Sequence, residues 1–251
     1  MTDDDGSLTE LRRGRAAAWT PFLLAAVVLA GLFAWGSQAF SHLPEVFPTH
    51  WGPSGEPDAW EEKSFGTVFI GPLSAAGTTA LMGLLALLVP AMLLPPKDSS
   101  AWGRVQQEGR RRATVSVLGW VSLLTAIFVG ALSVQTWTAP GEISMTVPLT
   151  LYMLGLGFAI VLPFRRWQRW SQRWASEAGL HPSPEEAAEE KLWLPGGIYN
   201  NPDEPRVLVP KREGLGTGLT VNVGHRNGRL AVGVFVVLMI AFPVALTLVA
   251  S

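Results

Sequence analysis

The chain contains 251 residues with a formal net charge of −1, and only 16% of them are charged, against about 25% in a typical soluble domain. The near-neutral balance argues against a nucleic-acid partner, and the absence of cysteine excludes disulfides, thiolate nucleophiles and cysteine metal sites. With 48% hydrophobic residues and so few charges, long stretches carry no charge at all, which is typical of a membrane protein.

Five uncharged stretches are each long enough to cross a bilayer as a helix, which takes about 20 mostly apolar residues. They occupy residues 16–36, 67–94, 113–134, 143–164 and 230–250. Backbone polar groups inside lipid must pair within their own segment, so each stretch is predicted to be helical. The first stretch is too long for a typical cleaved signal peptide. The sequence therefore predicts an all-α membrane protein built on a five-helix transmembrane bundle.

Lys and Arg are concentrated in alternate connecting segments, which predicts an orientation. They are frequent before the first span, between the second and third, and between the fourth and fifth, whereas the loop after the first span contains only Lys63. Basic loops stay in the cytoplasm, so the amino terminus is predicted to be cytoplasmic and the carboxyl terminus extracellular. Five tryptophans lie near span ends, as interfacial anchors do: Trp19, Trp35, Trp102, Trp120 and Trp137.

The predicted organisation follows from these spans. It comprises a cytoplasmic tail (1–15), a four-span membrane domain (16–164) with an outer loop (41–66), cytoplasmic helices (165–192), a cytoplasmic β-hairpin domain (193–228) and a fifth transmembrane helix (229–251). No span carries an ionisable residue in its middle. This argues against proton pumps, ion-coupled transporters and voltage sensors, which need such groups.

The outer loop is dense in proline, glycine and aromatic residues, which predicts an ordered loop rather than a linker. Its candidate binding residues are Pro48, Thr49, His50, Trp51, Gly55, Pro57 and Asp58. We expect His50 and Asp58 to hydrogen-bond within the loop, and an acid–base pair for catalysis is the alternative. His42, His50, Glu45 and Asp58 match no zinc spacing, so neither a metal nor a cofactor is predicted.

The segment after the fourth span predicts a surface amphipathic helix. Trp167, Trp170 and Trp174 are spaced three and four residues apart, so they share one helix face, and arginines lie between them. Such a helix lies on the inner leaflet, although a simple extension of the fourth span with its arginines reaching the interface is the alternative. Ser183 then caps a short polar helix that runs to about Lys191.

Residues 193–228 predict a small cytoplasmic β-hairpin. A strand at 206–211 and an alternating strand at 217–224 are joined by a glycine-rich turn. A lone hairpin is marginal in water, so it must pack on the bundle or on a partner. Its candidate binding residues are Tyr199, Asn201, Pro202, Asp203, Arg206, Pro210, Lys211 and Asn222.

The outer loop resembles the signature of a bacterial membrane family of unknown function, through Leu43-Pro44, Pro48-Thr49-His50-Trp51, Gly55 and Pro57-Asp58. That domain begins the SdpI-type immunity proteins, which protect a bacterium from its own peptide toxin. The hairpin is similar to a second small domain of unknown function, through Tyr199, Asn201-Pro202-Asp203-Glu204-Pro205-Arg206, Val209-Pro210-Lys211-Arg212 and Thr220-Val221-Asn222-Val223-Gly224, with Glu204 where that domain has Asp. The resemblance implies a bacterial cell-membrane protein. Immunity is attributed to longer proteins with a further membrane region, and the carboxyl half of this chain differs from theirs.

Three functions compete at this point. The preferred one is a non-enzymatic role in toxin or antimicrobial-peptide immunity or in envelope-stress signalling, with a peptide or lipid ligand outside and a protein partner inside. The second is a structural or accessory subunit of a larger membrane complex such as a transporter, in a homo- or hetero-oligomer. The third is a membrane enzyme that uses His50 and Asp58.

Overall fold

The computed structural model describes residues 10–52, 57–96, 98–140, 145–212 and 218–250. The helices in chain order are α1 (Thr20–Ala39, flanked by 3₁₀ turns Arg15–Trp19 and Phe40–His42), α2 (Phe65–Met92), α3 (Ala101–Thr138), α4 (Thr146–Glu177), α5 (Pro184–Glu190) and α6 (Arg226–Ala250). The strands are β1 (Val46–Trp51), β2 (Pro57–Glu62), β3 (Trp193–Leu194), β4 (Ile198–Tyr199), β5 (Leu208–Pro210) and β6 (Leu219–Val221).

Four helical stretches of the described residues are long and apolar enough to cross a membrane: Glu10–His42, Phe65–Met92, Ala101–Thr138 and Val147–Glu177. They overlap the first four predicted spans, of which the second and the fourth extend beyond the helical stretch at one end. By length and composition the chain is therefore a multi-pass membrane protein. The fifth predicted span falls in α6, which is helical but is not among these four, so the fifth crossing stays a prediction.

Helix α4 continues without a break past the predicted end of the fourth span. It has 32 residues, about 48 Å at 1.5 Å per residue, which exceeds the roughly 30 Å of hydrocarbon in a bilayer. Residues 165–177 are the last turns of this helix, and Pro163 lies inside it. A separate surface helix is thus not seen, and the geometry matches the alternative of a helix extension.

The chain divides into two compact units. Unit 1 combines Met1–Trp19, Leu85–Val117 and Ala159–Phe235, and unit 2 combines Thr20–Leu84, Leu118–Phe158 and Val236–Ser251. Because the long helices contribute segments to both, the boundaries of the units do not follow those of the predicted domains. Each unit is described below by itself.

Aromatic residues form the centre of the unit 2 core. The Phe69 ring stacks on Phe33 at 5.5 Å and meets Trp137 edge-on at 6.0 Å. Trp137 is 3% exposed and donates its indole N–H to the Val68 carbonyl at 3.2 Å. A β-carbon at Gly36 would lie 2.8 Å from Trp137, so only glycine allows this approach. Trp137 is therefore a core residue, which corrects its prediction as an interfacial anchor.

Strands β1 and β2 form an antiparallel hairpin in the same unit, where the sequence predicted an ordered loop without strands. Val46 pairs with Glu62 and Trp51 with Pro57, and the register shifts on either side of His50. Both strands are edges of a two-stranded ribbon. Proline is tolerated at such positions because its missing N–H faces outward.

Two small sheets lie in residues 193–225 of unit 1, which we call the Asn222 module. Strands β5 and β6 form the predicted hairpin, with Leu208 opposite Val221, and they are shorter than expected. Its glycine-rich turn lies outside the described residues. Strands β3 and β4 form a second antiparallel pair that the sequence did not predict, and a parallel bridge from Tyr199 to Asn222 joins the two sheets.

Candidate functional site

The β1–β2 hairpin is fixed at its base by one aromatic and one lysine side chain. Phe47 is 2% exposed and belongs to the unit 2 core. The Lys63 ammonium, 12% exposed, pairs with the Glu45 carboxylate at 2.7 Å and donates to the Leu43 carbonyl at 3.2 Å. Because Phe47 and the Lys63–Glu45 contact hold the base of both strands, the described residues of the hairpin form a defined surface.

His50 and Asp58 are in contact, as the sequence analysis expected. The imidazole Nδ1 lies 2.5 Å from the Asp58 Oδ1, and the two side chains are 70% and 51% exposed. Water screens a pair this exposed, whereas acid–base catalysts work in sites that exclude water. The contact ties the two strands together next to the register shift at His50.

The other predicted residues of the outer loop differ in accessibility. Pro48 is buried, while Thr49 and Pro57 are half-buried. Gly55 lies outside the described residues, and so does the side chain of Trp51. The structure therefore brings His50 and Asp58 together at the surface and places Pro48 in a supporting position.

Carboxylates and apolar side chains are exposed together on this hairpin. We call this exposed set the acidic hairpin face, and its members are Glu45, Val46, Asp58, Trp60, Glu61 and Glu62. The register places Val46, Trp60 and Glu62 on one side of the ribbon and Glu61 on the other, so the set surrounds the hairpin. All six are exposed, Val46 and Trp60 each to 46%. Among the described hairpin residues, Lys63 carries the one basic charge other than histidine, and Glu45 neutralises it. The face therefore has a net negative charge beside apolar area, a surface suited to a cationic amphipathic ligand.

Asn222, predicted to be a binding residue, lies at the centre of the Asn222 module and is 0% exposed. Its Oδ1 accepts from the backbone N–H groups of Asn201 at 3.0 Å and Gly224 at 2.9 Å. Its Nδ2 donates to the carbonyls of Asn201 at 2.8 Å, Glu204 at 3.2 Å and Arg206 at 3.3 Å. One amide thus replaces the backbone pairing that this irregular segment lacks.

Close backbone packing surrounds the same asparagine. A β-carbon added to Gly224 would clash with the backbone of Asn201, and one added to Gly228 would clash with the carbonyl oxygen of Asn222. Tyr199 packs edge-on against Trp193 at 5.0 Å, and its hydroxyl accepts from the Asn201 amide at 3.1 Å. The segment that carries the second resemblance is therefore held together by internal contacts.

Five predicted residues of this segment remain exposed: Pro202, Asp203, Arg206, Pro210 and Lys211. The Arg206 guanidinium donates to both oxygens of Glu204, at 2.7 and 3.0 Å. These hydrogen bonds, together with one from the Arg206 backbone N–H, lower the pKa of Glu204 to about 2. The carboxylate therefore stays ionised at neutral and mildly acidic pH, and Arg206 is held close to the backbone turn.

Unit 1 also contains a buried ion network that the sequence analysis missed. Glu108 and Arg112, 3% and 4% exposed at their side chains, pair at 3.0 Å along α3. Arg15 adds a bidentate pair to Glu108 at 2.7 and 2.5 Å. Arg112 also donates to the carbonyls of Leu11 and Arg13, at 2.7 and 2.9 Å. In the sequence, Arg15 and Arg112 contributed only to the predicted orientation in the membrane. No local pattern predicted that Arg112 and Glu108 are buried.

The last turns of α4 pack on this network. The Arg112 guanidinium lies 3.9 Å from the centre of the Trp170 ring and 5.2 Å from that of Trp167. Trp167, 4% exposed, donates its indole N–H to the Ser116 hydroxyl at 2.9 Å. Trp102, predicted to be an interfacial anchor, is 9% exposed and belongs to an adjoining core cluster with Leu11. These tryptophans therefore pack against protein, and the anchor prediction for Trp102 is wrong.

Metal-binding side chains do not gather in the part of the chain that the structure describes, where no group of three or more His, Asp or Glu could hold an ion.

The amino-terminal part matches one family model. Residues 22–75 match a family described as a domain of unknown function (DUF1648), less than a quarter of the chain. The match covers most of α1, the whole β1–β2 hairpin and the start of α2. No curated protein and no solved structure matches the chain.

Proposed function

We propose that the chain is a non-enzymatic bacterial membrane protein that captures a cationic, membrane-active peptide on the acidic hairpin face, in immunity or envelope-stress signalling. The observation that carries the proposal is the exposure of four carboxylates beside Val46 and Trp60 on a hairpin that is anchored in the core. The resemblance to SdpI-type proteins supports the same role. The residues that carry this resemblance lie within the segment 22–75, which matches the family of unknown function.

The chemistry of the ligand follows from the two kinds of exposed group. Peptides that attack membranes combine Lys and Arg with apolar residues, so they complement a surface that offers both carboxylates and an indole. Electrostatic attraction raises the rate of encounter and decreases with salt, whereas apolar contact at Trp60 would retain the bound peptide. A rigid hairpin loses little entropy on binding, because its strands are already paired.

Binding of a fluorescent cationic amphipathic peptide to the protein in phosphatidylcholine nanodiscs tests the proposal. We expect the double variant Glu61→Gln and Glu62→Gln to bind about tenfold more weakly than the wild type at low salt, since each exposed charge pair contributes up to about 1 kcal/mol. The difference should shrink as salt increases. Empty nanodiscs measure binding to the lipid itself.

The matched control removes two exposed carboxylates elsewhere, with Glu177→Gln and Asp203→Asn in one chain. This control should bind the peptide as the wild type does. Equal binding by the hairpin variant and the wild type would exclude capture at this face. His50→Ala should bind the peptide within about twofold of the wild type, the free-energy scale of one exposed contact.

A further inference from the structure

A second site lies in unit 1, independent of the hairpin. A cavity of about 210 Å³ is lined by three guanidiniums, Arg15, Arg111 and Arg112, by the Glu108 carboxylate and by apolar side chains from α2 and α3. Arg15 and Arg112 both hydrogen-bond Glu108, so that the single carboxylate is already occupied. The cavity wall thus has an excess of positive charge.

Arg111 adds a third guanidinium to the cavity wall. In the described part of the chain it forms no ion pair, and its Nε and Nη2 donate to the backbone carbonyls of Leu93 at 2.8 Å and Pro90 at 3.2 Å. These bonds fix the guanidinium at the end of α2. A fixed, unpaired guanidinium favours an anion that accepts more than one hydrogen bond, such as a phosphate.

The position of the cavity along the chain is that of a membrane interface. Arg15 immediately precedes the uncharged stretch 16–36, and Arg112 immediately precedes the uncharged stretch 113–134. Pro90, on the third side, is close to the end of the stretch 67–94. The boundaries between three apolar stretches and the charged segments next to them therefore lie at one cavity. Phospholipid headgroups lie at this depth.

The cavity opens towards the apolar exterior of α2. Leu87, which lines it, is 66% exposed, and the Arg15 side chain on its rim is 41% exposed. Leu88 and Met92, on the same last turns of α2, are 46% and 62% exposed. A volume of about 210 Å³ is below the roughly 300–1,000 Å³ of pockets that enclose a drug-sized ligand. It suits a headgroup whose acyl chains remain outside.

We propose that this cavity binds the phosphate headgroup of an anionic phospholipid, with the acyl chains along the exposed apolar residues of α2. Guanidiniums supply the charge and the hydrogen bonds, while Leu87 and its neighbours contact the first carbons of the chains. Anionic rather than zwitterionic lipid is expected because the cavity offers three cations and one carboxylate that is already paired. A choline group would add a fourth cation to this surface.

Lipid retention by the delipidated, detergent-purified full chain tests the proposal. Phosphatidylglycerol and phosphatidylcholine with the same acyl chains are added, and bound lipid is counted by native mass spectrometry alongside the thermal midpoint. We expect retention of phosphatidylglycerol to exceed that of phosphatidylcholine and to fall about fivefold in Arg111→Gln, the effect of one basic residue near anionic lipid. Glycerol phosphate, which carries the headgroup without chains, should neither bind stably nor raise the midpoint.

Two further variants separate binding from folding. Arg169→Gln removes an exposed arginine of α4 and should retain phosphatidylglycerol as the wild type does. Ala86→Leu leaves every charge in place and fills part of the cavity, so it should retain less lipid. Ala86 is 1% exposed, so the thermal midpoint without lipid checks that this variant is folded. Retention of phosphatidylglycerol by both Arg111→Gln and Ala86→Leu at the wild-type level would overturn the proposal. Equal retention of the two phospholipids would overturn it as well.

Discussion

A single buried side chain, Asn222, determines how the Asn222 module is assembled. Its amide has two protons and faces three carbonyl oxygens, so at least one N–H is shared between two acceptors. The backbone N–H of Asn222 also donates to the Val207 carbonyl at 2.8 Å. Asparagine is suited to this place because it presents a donor and an acceptor within one planar group.

Replacing Asn222 tests this role. Asn222→Ala leaves two N–H groups and three carbonyls without their partner in a buried position, and we expect it to destabilise the module by about 2–4 kcal/mol. Asn222→Asp is nearly isosteric but puts an oxygen against the three carbonyls, so it should be at least as harmful. Hydrogen exchange of residues 193–225 measures the effect.

Asp203→Asn is the control within the same segment, since the Asp203 side chain is exposed. It should change stability by no more than about 0.5 kcal/mol. Wild-type protection of the Asn222→Ala backbone would show that the amide is dispensable and would leave a binding role as the remaining explanation for this residue.

The residue scale also shows where sequence reasoning stopped. His50 and Asp58 were paired correctly because they are eight positions apart in a segment rich in turns, and short-range contacts are readable from one sequence. Asn222 was predicted inside a strand at 217–224, whereas β6 ends at Val221 and Asn222 forms an isolated bridge to Tyr199. Its partners Asn201 and Arg206 lie 21 and 16 positions away. Burial produced by such long-range contacts is not visible in the local pattern, so Asn222 was assigned to binding.

At the scale of elements, each uncharged stretch located a long helix, but most of the helix ends differ from the prediction. The stretch 113–134 became α3 from Ala101 to Thr138, because the charged residues before it continue the same helix. Glu108 and Arg112 are paired within the protein, so their charges did not mark the end of the helix. The strands β3 and β4 have two residues each and are defined by their pairing with one another. Two residues are too few to show the alternation of apolar and polar side chains that predicts a strand.

The Arg112 network links the amino-terminal segment, α3 and α4, and we expect these elements to separate when it is broken. Arg112→Leu leaves the Leu11 and Arg13 carbonyls without a donor and Glu108 buried with one partner fewer, which should destabilise unit 1 by about 3 kcal/mol or more. The loss is measured as a lower thermal midpoint in detergent and by faster proteolysis before residue 15.

A double variant separates two causes of this loss of stability, namely the buried Glu108 carboxylate left with one partner fewer and the lost contacts of the Arg112 side chain. Glu108→Leu combined with Arg112→Leu removes both buried charges, so it should be more stable than Arg112→Leu alone. Arg15 would then lose its carboxylate, but its side chain is 41% exposed and can be hydrated. Arg173→Leu is the control for the loss of an exposed arginine on α4. If the single and double variants were equally stable, the Glu108 carboxylate would carry no penalty after the loss of Arg112.

At the scale of the whole molecule, composition was sufficient to predict a multi-pass membrane protein, because apolar stretches of this length have few other uses. Composition alone does not determine the number of crossings. Four helices of the described chain meet the requirements of length and composition, while the alternation of basic loops predicts a fifth. The difference concerns α6 and decides on which side of the membrane the chain ends.

Cysteine labelling can settle the number of crossings, since the chain has no native cysteine to give background. If α6 crosses, Ser41→Cys and Ser251→Cys should both react with a membrane-impermeant maleimide in intact cells. Ser176→Cys, at the exposed end of α4, should react only after permeabilisation. Reaction of Ser251→Cys only after permeabilisation would mean four crossings and both termini on one side. Reaction of Ser176→Cys but not Ser41→Cys in intact cells would reverse the orientation, and the acidic hairpin face would then be inside the cell, where no external peptide reaches it.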